Sequence, residues 1–152
     1  MQIKTLPPMQ VLYYRTKTTL KGLEAFVGKM PQALYNEATR LQLLVAGPQY
    51  WCYFGANGDP DNEFTLEIAI PVVGKPLKET TFQLKQLSAF KSLSVLHEGS
   101  YEEMGKVYGE IMPQVLADGF SFTDDKEVRE MYLNVDFEHP ENCRTEILIG
   151  IK

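Results

Sequence analysis

The chain repeats itself. Ile3-Lys4-Thr5-Leu6 is answered by Leu84-Lys85-Gln86-Leu87, an offset of 81 residues (3 to 84). Met30-Pro31-Gln32-Ala33-Leu34 is answered by Met112-Pro113-Gln114-Val115-Leu116 at 82 (30 to 112), and Glu67-Ile68-Ala69-Ile70 by Glu146-Ile147-Leu148-Ile149 at 79 (67 to 146). A period near 80, present twice, is too long and too few for a solenoid. Each copy, about 1–74 and 80–152, reads strand, helix, strand, strand. A duplicated β-α-β-β module predicts an α+β fold with pseudo-twofold symmetry: one antiparallel sheet made by both copies, with helices on one face. A cleft between the halves is the expected place for a ligand.

The element pattern is read from periodicity and punctuation. Residues 3–15 alternate as a strand broken at Pro7-Pro8, because paired prolines cannot serve a central ladder. From Leu20 to about Val45 apolar residues recur at three and four, predicting a helix, with Gly28 and Pro31 kinking or splitting it near 28–31. Tyr50–Phe54 and Phe64–Val72 read as a hairpin across the Asn57-Gly58 and Asp59-Pro60 turn. The second copy follows: an extended run over 82–97 interrupted near Ser88, a helix over 100–116, and strands over 128–137 and 144–151. At its strand-to-helix junction, Gly99 supplies the turn, and Ser100 with Glu103 has the spacing of a capping box.

Composition excludes several classes. The chain of 152 residues, expected to form one domain, has a net charge of −5 and no basic stripe, which disfavours nucleic-acid binding. It holds no apolar run of membrane-spanning length, and residues 1–8 lack a signal-peptide core, so the expectation is a cytoplasmic protein with no membrane partner. Cys52 and Cys143, far apart and without a histidine pair at ligand spacing, read as free thiols; no metal or other cofactor is expected. Neither His97 nor His139 lies on a stretch suited to a haem wall. No GxSxG, Walker-type or HExxH motif is present.

The stretch from Phe82 to Phe120, with His97-Glu98-Gly99-Ser100-Tyr101 and Asp118-Gly119-Phe120, together with Arg129-Glu130-Met131-Tyr132 and Pro140 to Ile147, resembles the GyrI-like small-molecule-binding domain. This is the effector-binding part of AraC-type and multidrug-sensing transcription regulators. The resemblance implies a cleft that takes lipophilic, often cationic compounds, with an acidic residue of the last strand acting in it; by position that is Glu146. Two departures stand out. No DNA-binding segment precedes Ile3, and Thr16-Lys17-Thr18-Thr19-Leu20, the first-copy counterpart of the His-Glu-Gly-Ser-Tyr turn, lacks the glycine.

The candidate site residues follow. Glu146 in an apolar cleft would be costly to bury unless a cationic ligand paired with it, and its pKa would rise in the free protein. Glu67 is its repeat mate. Trp51 and Tyr53 share a strand face and would form an aromatic wall, which attracts cations. Tyr132 shares a face with Glu130 and Asn134, and its hydroxyl can bond a pocket carboxylate. Tyr13 and Phe90 would border the cleft. Met104, Met112 and Met131 would be an adaptable lining. Each has a plainer reading as a core or solvated-face residue. Two alternatives to a stand-alone binding protein stand beside it: a hydrolase of cyclopropane-bearing genotoxins with Glu146 as general base, and a protein-interaction role such as inhibition of DNA gyrase.

Overall fold

The computed structural model describes the backbone of residues 1–152 and every side chain except that of Val27. In chain order the elements are β1 (Gln2–Leu6), β2 (Met9–Thr18), α1 (Glu24–Val27), α2 (Met30–Arg40), β3 (Leu44–Val45), β4 (Tyr50–Phe54), β5 (Phe64–Val73), β6 (Gln83–Leu87), β7 (Phe90–Glu98), α3 (Met104–Ala117), β8 (Glu127–Asn134) and β9 (Arg144–Gly150). Single 3-10 turns at Leu20–Gly22 and Tyr101–Glu103 lead into the helical segments, and a third occupies Pro140–Asn142.

The strands form one antiparallel sheet in the order β1-β7-β9-β8-β4-β5-β2-β6, with the short β3 beside β5. The order is its own image under the repeat. Exchanging β1 with β6, β2 with β7, β5 with β9 and β4 with β8 returns the same sheet, so the pseudo-twofold axis runs between β4 and β8. The first strand of each copy is traded: β1 pairs with β7, and β6 pairs with β2. The break at Pro7-Pro8, and its counterpart at Ser88-Ala89, lets each first strand leave the line of the strand after it.

Alternation along the strands sorts side chains onto two faces. Leu66, Ile68, Ile70 and Val72 of β5 meet Leu34 and Ala38 of α2 and Leu41 at its C-terminal cap. Ile147, Ile149 and Leu93 meet Met104 and Val115 of α3. Both helix layers thus cover the same face. On the other face the sheet curls as a half-barrel, and Tyr50, Cys52, Phe90, Met131 and Leu148 bury one another there.

Two local expectations are corrected. The first helix ends at Arg40, not near Val45. Gln42 takes a positive φ of 57°, the Leu43 N–H returns to the Ala38 carbonyl at 2.9 Å, and Leu44–Val45 pairs instead with Val73 and Val72. The capping box at Ser100 does not form: neither Ser100 nor Glu103 makes a side-chain cap bond, and the Glu103 N–H donates to the Ser100 carbonyl at 3.3 Å. His97 Nε2 lies 2.9 Å from that same carbonyl. Gly99 does occupy the turn, at φ +131°, a region that resists a Cβ. In the first copy Thr19 does cap, its Oγ1 accepting from the Gly22 N–H at 3.1 Å.

Candidate functional site

Trp51 and Glu130 are register partners across the central β4–β8 pair. Their offset of 79 (51 to 130) equals that of Glu67 and Glu146, so they are repeat equivalents, and the pseudo-axis passes between them. They open on the helix-covered face. Around them lies a cavity of about 810 Å³, walled by Leu20, Leu23 and Pro31 of the first copy and by Tyr101, Met104, Tyr108, Met112 and Pro113 of the second. Pro31 and Pro113 belong to the matching Met-Pro-Gln segments, so the walls as well as the floor are related by the repeat.

Glu130 is the one charged group among the residues lining this cavity. It is only 7% exposed. Strand alternation brings Val128, Glu130 and Tyr132 to this face, and the 3-10 turn and α3 bring Tyr101 and then Met104, Tyr108 and Met112 to meet it at intervals of three and four. Three phenols converge on the carboxylate. Tyr53 donates to Oε2 at 3.2 Å, Tyr132 donates to the same oxygen, and Tyr108 donates to Oε1 at 2.8 Å. Burial raises the Glu130 pKa, and the bonds from Tyr132, Tyr108 and Tyr53 oppose that rise without cancelling it. The three phenols are held well above their ordinary pKa, first by burial and then by the neighbouring carboxylate, so they remain donors.

An aromatic row extends from this centre. Tyr132 meets Trp51 edge-on at 6.0 Å on one side and Tyr101 at 5.7 Å on the other, and Tyr101 meets Phe137 at 6.3 Å. The Trp51 indole donates to Gln49 Oε1 at 3.1 Å. The cavity thus combines apolar walls, flat aromatic faces and one buried carboxylate.

The structure brings together Trp51, Tyr53 and Tyr132 of the expected residues. The other four lie on the half-barrel face. Glu146 does not line this cavity: its carboxylate receives Lys4 Nζ at 2.8 and 3.0 Å and Ser94 Oγ at 2.7 Å. Glu67 likewise receives Lys85 at 2.7 Å and Arg15 at 2.8 Å. The Arg129 guanidinium stacks 3.9 Å from the Phe90 ring, and Lys85 lies 4.3 Å from that of Tyr13. The reason is parity. In β9 the residues on the helix face are Thr145, Ile147 and Ile149, and Glu130 stands opposite Ile147, not Glu146. Met131 also falls on the half-barrel face, whereas Met104 and Met112 line the cavity. Glu130 and Tyr108 were the residues left out of the sequence-based set. The signal for Glu130 was its shared face with Tyr132; for Tyr108, its place on the apolar stripe of α3. Among the described residues no group of three or more His, Cys, Asp or Glu side chains is placed to hold a metal ion.

Comparison with known proteins agrees with this fold. The model of the GyrI-like small molecule binding domain matches residues 1–152. The crystal structure of the EcmrR C-terminal domain superposes with a TM-score of 0.82 at 18% identity, covering 99% of this chain and 96% of that one. In the EcmrR–DNA complex the match, at 18% identity and a TM-score of 0.81, spans 99% of this chain but only 56% of the longer EcmrR chain. SAV2435 bound to tetraphenylphosphonium gives 0.69 at 14% identity, covering 99% and 93%. A hydrolase encoded by lin2189 from Listeria innocua gives 0.68 at 16%, covering 99% and 91%. These likenesses concern the fold. No curated protein sequence matches the chain.

Proposed function

Since this chain belongs to the GyrI-like small molecule binding domain family, we propose that it binds lipophilic cations in the axial cavity, with Glu130 as their counter-charge. The observation that carries this reading is a carboxylate buried among apolar and aromatic walls with three phenol donors and no cationic partner among the described residues. The phenols leave Glu130 more acidic than burial alone would, but still short of full compensation. A bound cation supplies the missing charge, and Trp51 and Tyr132 offer it ring faces. The tetraphenylphosphonium bound by SAV2435, on the same fold, is an ion of this kind.

Hydrolysis is the second reading, suggested by the hydrolase of the same fold from Listeria innocua. A general base needs a free lone pair aimed at water. Glu130 already accepts three hydrogen bonds, two of them at Oε2, out of about four lone-pair positions. That favours holding a charge over taking a proton.

Trp51 is the single tryptophan, so its fluorescence reports the cavity. Tetraphenylphosphonium is expected to change it saturably, with affinity lost by about tenfold or more in Glu130→Gln. No saturable change, or equal affinity in the variant, overturns the reading. Cleavage products on incubation with a cyclopropane-bearing alkylator would instead establish the hydrolase.

A further inference from the structure

The repeat also exposes a site that is filled in one module and open in the other. By the same offsets Met9 corresponds to Phe90 (9 to 90), Tyr50 to Arg129 (50 to 129) and Pro71 to Gly150 (71 to 150). In the second module these residues close on one another. The Arg129 guanidinium lies 3.9 Å from the Phe90 ring centre, and that ring sits so near Gly150 that an added Cβ would be 3.0 Å from its edge. In the first module Met9, Tyr50 and Pro71 instead bound a cavity of about 740 Å³. It belongs to the half-barrel face, since Tyr50 points away from the side of β4 that carries Trp51 and Tyr53.

The geometry points to a second small-molecule site here, for a compact apolar compound carrying a carboxylate or similar anionic acceptor. Its walls include Pro7, Pro8 and Pro48, whose rings cannot rearrange freely, so little ordering cost attends binding. Tyr50 is 4% exposed, and its hydroxyl makes no hydrogen bond to another described residue and is not sealed from the cavity's solvent. It is a donor without an acceptor. Lys75 is the one charged residue in the lining, and no carboxylate joins it. Behind Tyr50, the Arg129 guanidinium is already paired with Glu127 at 3.0 Å, so Lys75 is the cation left to meet an anion here. The polarity is therefore opposite to that of the Glu130 cavity, and the inference stands independently of what that cavity binds.

The test is a titration of nitrogen-15-labelled protein with 2-naphthoate, with 2-naphthylmethylammonium as the cationic counterpart. Naphthoate is expected to shift the Gly47 and Gly74 amides saturably, and the ammonium compound to leave them in place. Met9→Phe, which puts the second module's filling residue into the first, and Lys75→Glu should each weaken naphthoate by about tenfold at an unchanged melting temperature. Lys75 is exposed, so its variant decides the matter even if Met9→Phe fails to fold. Absence of saturable shifts at these amides, equal response to the cation, or affinity unmoved by Lys75→Glu overturns the inference.

Discussion

Tyr53 and Tyr132 occupy equivalent positions in the two modules (offset 79) and donate to the same oxygen of Glu130. A duplicated strand has thus become a clamp. Each copy supplies one phenol from its own side of the axis, while the carboxylate between them exists in the second copy alone, where the first has Trp51. Removing either phenol removes a bond that favours the charged form. Both Tyr53→Phe and Tyr132→Phe should raise the pKa of Glu130 further, Tyr132→Phe by more, because its bond opposes the effect of burial most strongly. The check is the pH midpoint of tetraphenylphosphonium binding, which should move upward in that order.

The raised pKa of Glu130 also has a sign in stability. The folded protein keeps this proton to higher pH than the unfolded chain does. Its contribution is present in full below about pH 4.3, the ordinary glutamate value, and is lost as the pH rises through the folded pKa. Cation binding favours the ionised form, so affinity rises with pH over the same window and a proton is released. Calorimetry in two buffers of different ionisation enthalpy measures that release; in Glu130→Gln both the release and Glu130's share of the stability slope should vanish.

Glu146 separates structure from ligand. Bound to Lys4 and Ser94 on the half-barrel face, it should matter to folding and not to the cavity. Glu146→Gln is expected to cost about 1.5–3 kcal/mol in urea unfolding, the range for hydrogen bonds to a charged group. Tetraphenylphosphonium affinity should stay within about twofold, a difference of well under 1 kcal/mol.

Glu37 ties α2 to the segment before β6. It accepts from Arg40 at 2.6 and 3.0 Å and from the Thr80 hydroxyl at 2.6 Å. Those bonds, Arg40's first, lower its pKa to about 2. The stabilisation is therefore present above about pH 4.3 and disappears as the pH falls toward 2. Arg40 is half-exposed, so solvent screening keeps the contribution small. Melting curves of the wild type and Glu37→Gln between pH 6 and pH 2.5, conditions chosen about that window, should differ at the upper end and converge at the lower.

How far the sequence reaches is clear from β8 and β9. Residue alternation told that Tyr132 shares a face with Glu130, and that Glu146 opposes Ile147. It did not tell which of those faces meets the helices. Both faces of this sheet are buried, one under α2 and α3 and one inside the curl, so an apolar-in, polar-out rule has no solvent side to point to. Glu67 and Glu146 are buried acids as much as Glu130 is. What distinguishes them is partners from other strands: Lys85 and Lys4, brought in by the exchanged strands β6 and β1.

The repeat, the strand breaks at Pro7-Pro8 and Ser88, the split of the first helical region, and the turn at Gly99 were determined by local chemistry and spacing alone. So was the α+β module they build. The identity of the buried carboxylate in the cavity was decided by tertiary structure. Strand exchange neutralises Glu67 and Glu146 with lysines more than 15 residues away in sequence, whereas the axis leaves Glu130 facing open space with only phenols for company. Pairing across sheet neighbours depends on which strands adjoin, and no local pattern encodes that.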